Sequence, residues 1–144
     1  MSGPDRTMLA IMAAALIAIA TLSGCSPDAR QAALSGAADV VQTTKARRDA
    51  FYHERAEHCL AAAETFDAWR ECFAPASGLG RAVDVFVDAL RAAQEAHDAG
   101  EADGFTAKAR ELVQAAVHVV NAFSTAGLEV PAAVLQVAAF AGEI

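Results

Sequence analysis

Two cysteines thirteen residues apart, Cys59 and Cys72, constrain this 144-residue chain more than any other pair of side chains in it. The residues around them are helix formers, and one straight helix rising 1.5 Å per residue would hold the two Cα atoms roughly 20 Å apart. A disulfide requires Cα atoms within about 7 Å of each other. Either the thiols stay apart on a single helix, or the chain doubles back between them and becomes a cross-linked hairpin. Glu64-Thr65 is the place for such a reversal. Thr65 can cap a new helix whose first turn holds Asp67, a carboxylate favoured there by the helix dipole.

Choosing between the two depends on the compartment, and the N-terminus bears on that. Polar residues including Arg6 precede an apolar run over 8–20, and small residues follow at Ser23 and Gly24. This is the three-part layout of a secretory signal. A permanent membrane helix needs about 20 apolar residues, and this run is shorter. Leu22-Ser23-Gly24-Cys25 resembles the lipobox of bacterial lipoproteins. The resemblance covers residues 1–25 only. It implies that diacylglycerol is attached to the Cys25 thiol, that lipoprotein signal peptidase cuts after Gly24, and that the mature protein begins at Cys25 with acyl chains such as palmitate. One chain holds a protein to a bilayer weakly and two or more hold it stably. The expected location is therefore the bacterial cell envelope, lipid-anchored. In Gram-negative members of that family an Asp after the cysteine favours the inner membrane, whereas Ser26 points to the periplasmic face of the outer membrane. The alternative is an ordinary signal peptide whose removal leaves a free thiol.

Export also bears on the hairpin. With Cys25 taken by lipid, Cys59 and Cys72 form an even pair in an oxidising compartment, which reads as a disulfide.

The chain divides into a signal peptide (1–24), a lipidated N-terminus with a helical tether (25–45), and a helical domain (46–144). Pro27 is expected to keep the first mature residues extended, with a helix over 29–63. Its early half, with Ser35-Gly36 and Gln42-Thr43-Thr44-Lys45, has a poor apolar stripe apart from Leu34, Val40 and Val41 and reads as a fraying segment or stalk, with packing of 29–45 on the bundle the open alternative. Its later half repeats Tyr52, Ala56, Cys59, Leu60 and Ala63 at helical spacing, a face to bury. A short helix over 66–73 should turn Trp69 and Phe73 towards it and end at Pro75. A turn-rich connector over 74–80 follows. The next helix, 81–99, alternates the stripe Val83, Phe86, Val87, Leu90 and Ala93 with Asp84, Asp88, Arg91, Glu95 and Asp98, and stops at Gly100. Over 105–126 a broad apolar face runs from Phe105 to Phe123, closed by Gly127 in a left-handed cap with Leu128 packing back. Pro131 opens a last helix over 132–142, where Val134, Leu135, Val137, Ala138 and Phe140 leave few polar positions. Its default burial is the bundle core; a second copy or a partner's groove are the alternatives. The fold class expected is all-α, a small antiparallel bundle of about four helices with a disulfide-linked hairpin.

Chemistry is sparse. The net charge of −7, without a basic cluster, argues against nucleic acid, whose affinity comes from Lys and Arg on phosphate. His53 and His58 stand at i and i+5, so they miss the i, i+4 spacing of a zinc-protease helix. His53 with Glu57 has the right spacing for two ligands but no third, and a solvated face is the simpler reading. His118 belongs to a polar stripe. His97 falls on the apolar stripe close to a helix end, where terminal carbonyls can bond it or the helix dipole can stabilise it, a structural role. Tyr52 and Trp69 could line a ligand pocket, but packing around the hairpin is the plainer role. No metal or cofactor is expected. The function expected is a non-catalytic, lipid-anchored envelope protein that binds or scaffolds, through the membrane at Cys25 and a protein partner or a second copy at the C-terminal helix. A phage or mobile-element lipoprotein for exclusion or envelope disruption is the alternative, and a metal-dependent or other periplasmic enzyme comes last.

Overall fold

The computed structural model describes residues 26–142. Cys25 with the rest of the lipobox, and the side chain of Phe140, lie outside the described part. The chain is all-α, a bundle of α1 (Pro27–Ala62), α2 (Phe66–Asp98), α3 (Ala102–Thr125) and α4 (Ala132–Ala138), followed by a 3-10 turn (Ala139–Gly142).

Each boundary has a local cause. α1 begins at Pro27 rather than at 29, because Ser26 caps it: the Ser26 hydroxyl accepts the Ala29 N–H at 3.3 Å, Pro27 occupies the first turn and Asp28 sits beside it. A proline there gives up an N–H that would have no helical partner anyway. Three residues, 63–65, reverse the chain, and the Thr65 hydroxyl accepts the Ala68 N–H at 3.1 Å to start α2. α2 and α3 end alike. Gly100 and Gly127 take φ of +72° and +74°, the Glu101 and Leu128 N–H groups reach back to the Ala96 and Phe123 carbonyls, and the helices are capped. This is the left-handed glycine cap expected at Gly127, and Leu128 packs against the core.

Pro75 does not end a helix. The expected short helix, connector and following helix are one 33-residue element in which Pro75 is interior. An interior proline removes a backbone donor and crowds the preceding turn, ordinarily at a cost of about 3 kcal/mol. Beside that turn Arg55 of α1 donates its Nε to the Cys72 carbonyl at 3.0 Å and ties the two helices together there. One glycine of the expected connector, Gly80, serves packing instead. Tyr52 lies over Gly80, and a Cβ at residue 80 would stand 2.9 Å from two atoms of the phenol ring.

The core lies where the early half of α1 meets the later half of α2, α3 and α4. Six of the seven buried residues of α1 fall between Ala33 and Thr44, so the stretch expected to fray or to form a stalk is packed. The later half of α1, expected to bury a face, buries only Cys59. Val83, Phe86 and Ala93 of α2 are buried as their stripe predicts, as are Phe105, Leu112, Val113, Val119 and Phe123 of α3. In α4, Val134 and Val137 are fully buried, which makes the bundle core their burial site.

Helix lengths then shape the molecule. α3 has 24 residues, about 36 Å, and turns back at Gly100 along a 33-residue α2 of about 50 Å. It reaches back only to about the level of Pro75. Beyond that level the end of α1 and the start of α2 run as a two-helix arm, whose residues are absent from the main core cluster.

Gly80→Ala is expected to lower the melting temperature although alanine is the better helix former by about 1 kcal/mol. Overpacking against Tyr52 costs about 1–3 kcal/mol. Adding Tyr52→Ala should cancel the penalty in a thermal double-mutant cycle.

Candidate functional site

The arm contains the densest cluster of chemically distinctive side chains. Cys59 and Cys72 are joined in a disulfide with Cα atoms 5.7 Å apart, which is the hairpin the sequence implies. Around it runs a ladder of rings. Phe66, Trp69 and Phe73 share one face of α2 at i, i+3 and i+7. Trp69 stacks on Phe73 with centroids 4.9 Å apart and on Phe66 at 6.1 Å, and Tyr52 of α1 meets Phe73 edge-on at 5.2 Å. Trp69 and Tyr52 are thus packing residues. The Trp69 Nε1 is buried without a hydrogen-bond partner among the described residues. At the tip the ladder meets solvent. Phe66, the first residue of α2, and Leu60, in the last turn of α1, are each 71% exposed. Arg70 lies over the Phe66 ring at 5.3 Å and pairs with Asp67 at 2.6 Å.

The arm's root is tied across the two helices. Arg48, whose side chain is mostly covered, bonds Asp49 at 3.0 Å within α1 and Asp84 of α2 at 2.9 Å. These residues, with Tyr52, His53 and Gly80, border an open depression of about 530 Å³. A second shallow groove, about 590 Å³, lies between α2 and α3 with an alanine floor (Ala89, Ala92, Ala115) and a polar rim that includes Arg110 and His118. Both are open to solvent.

The histidines do not assemble a site. His53 pairs with Glu57 at 3.4 Å, both well exposed, and His58 points elsewhere on the exposed surface. Among the described residues no three His, Cys, Asp or Glu side chains come together as metal ligands. His118 is exposed. His97 sits in the last turn of α2; of the two expectations the carbonyl bond is not made, for its Nδ1 is buried without a hydrogen-bond partner among the described residues and the ring rests edge-on against Phe105 at 6.1 Å.

Sequence reasoning missed Arg48, Arg55 and Gly80, which set how α1 meets α2, and it placed Leu60 inside. One signal was available for Arg55. An arginine seventeen positions before a mid-helix carbonyl sits opposite it once the Cys59–Cys72 register is drawn. The fold and its arm define the class, a disulfide-locked helical bundle. No protein-family model, curated protein or solved structure matches the chain.

Replacing both Cys59 and Cys72 by alanine is expected to destabilise the protein by about 2–4 kcal/mol in urea unfolding. Hydrogen exchange should show the loss concentrated in residues 53–75, where no third helix among the described residues covers the pair, with protection at Val83 and Phe86 retained. Uniform loss across the bundle would show that arm and core unfold together.

Proposed function

We propose that this chain is a lipid-anchored, non-catalytic protein of the bacterial envelope that binds or scaffolds, presenting the two-helix arm away from the membrane. The observation that carries this reading is Leu22-Ser23-Gly24-Cys25 closing an apolar run, with the capped helix α1 starting two residues later. The formed disulfide supports export, since such bonds persist in oxidising compartments. Among the described residues no helix is long and apolar enough to cross a membrane, so on this reading attachment comes from acyl chains on Cys25.

The absence of a linker gives the anchor a geometric consequence. α1 follows Cys25 almost directly and runs 36 residues, about 54 Å, to the arm's tip. An anchor at one end and an exposed apolar tip at the other suit a protein that holds a contact surface at a distance from the bilayer. Ser26 in the position after the lipidated cysteine supports the periplasmic face of the outer membrane. Aspartate would cap α1 as well as serine does, so the cap alone does not demand serine.

Cys25→Ser is the test. The wild-type protein should partition with membranes, incorporate labelled palmitate and begin at Cys25 by mass spectrometry, whereas the variant should keep residues 1–24 and take up no label. A variant that matures normally and stays membrane-bound would overturn the reading.

A further inference from the structure

We infer that the tip of the α1–α2 arm is a docking surface for a protein segment that carries an apolar side chain flanked by lysine or arginine. This deepens the binding role proposed above by naming the partner's chemistry, and it rests on the arm being the binding element.

Three observations converge on the tip. Leu60 and Phe66, on either side of the 63–65 reversal, are each 71% exposed, and they are the two most exposed large apolar residues of the described chain. Neither position is required by the fold: the seam between the helices is already filled by the disulfide and by Trp69, Phe73 and Tyr52. The surface is also pre-ordered. Phe66 stacks on Trp69, and the link that joins the helices is cross-linked a few residues back, so a partner would meet apolar groups already fixed in place. Preorganisation of this kind lowers the ordering cost of association.

Charge selects the occupant. Between residues 53 and 79 there are five carboxylates and two arginines. Both arginines are engaged within the arm, Arg55 on the Cys72 carbonyl and Arg70 on Asp67. Glu64 and Glu71, exposed beside the tip, form no ion pair among the described residues. An apolar patch with an acidic rim repels a second copy of itself and the anionic headgroups of a membrane, and attracts a basic rim around an apolar anchor. Aromatic anchors at the centre and complementary charge at the edge are the usual division of labour in a protein interface.

The test uses the full mature protein reconstituted in phosphatidylcholine vesicles, with the peptide Lys-Phe-Lys-Leu-Lys as probe and Glu-Phe-Glu-Leu-Glu as its charge-reversed control. Trp69 is the only tryptophan of the chain and stacks on Phe66, so its emission reports the tip directly. The basic peptide should shift Trp69 emission saturably and the acidic one should not. Leu60→Ser with Phe66→Ser should weaken binding by about tenfold or more, the scale of losing an interface anchor. Glu64→Gln with Glu71→Gln should weaken it severalfold and flatten its salt dependence, while circular dichroism stays unchanged. Four results would overturn the proposal: no response to either peptide, equal response to both, quenching of Trp69 by brominated lipid in the same vesicles, or a dimer that Leu60→Ser with Phe66→Ser dissociates. The third assigns the tip to the bilayer and the fourth to a second copy. None of these outcomes bears on whether Cys25 is lipidated, so failure here and failure of the anchor are separable.

Discussion

The register of α1 against α2 is the constraint on which the rest of the structure depends, and the bond between Cys59 and Cys72 sets it at one end. Once those two residues are level, moving along the antiparallel pair brings Arg55 to the Cys72 carbonyl, Tyr52 to Gly80 and Arg48 to Asp84. A slip of one turn would drive Tyr52 into a residue with a Cβ and part Arg55 from the Cys72 carbonyl. The cross-link, the close approach at Gly80 and the ion pair at the root therefore specify one alignment together.

How α3 and α4 sit follows from that alignment by length. α3 covers the part of α2 that also faces the early half of α1, and α4 closes the core with Val134 and Val137. The small residues and Leu34 of α1 are enough there because α2 and α3 supply the larger groups, Phe86, Phe105 and Phe123. At the other end two helices remain among the described residues, and two helices can bury no more than the seam between them. Leu60 and Phe66 are exposed for that reason.

Most of the helical architecture was legible from the sequence. The reversal at 63–65, the Thr65 cap, the glycine caps and the stripes of α2 and α3 all rest on local rules of spacing and terminal hydrogen bonding. Among the readings that failed, two show the physical reason most plainly. Pro75 reads as a terminator because its missing donor is a local fact, whereas the contacts that hold α2 on both sides of it, Arg55 on the Cys72 carbonyl among them, come from a different helix. The two halves of α1 were exchanged in burial because an apolar stripe reports which face can be buried, not how many neighbours are present to bury it. Ala33, Ala37 and Thr44 are inside through company rather than hydrophobicity. The chemistry of the arm was half legible: the cysteines and rings announced a hairpin, but the exposure of its tip depended on where α3 stops.

The two fastenings of the arm also have a mechanical meaning. Two rods lying side by side and free to slide bend almost as easily as each alone, because each can lengthen or shorten relative to its neighbour. Fastening them near both ends, by a covalent bond close to the tip and by Tyr52 against Gly80 with Arg48 on Asp84 at the root, resists that sliding. The pair then bends as a single thicker beam, with one helix in tension and the other in compression. A sideways load at Leu60 or Phe66 would be delivered to the helical bundle as a torque about the level of Pro75 instead of being lost in flexure. Reducing the disulfide would release one pin and let the helices shear, softening the beam without moving the core.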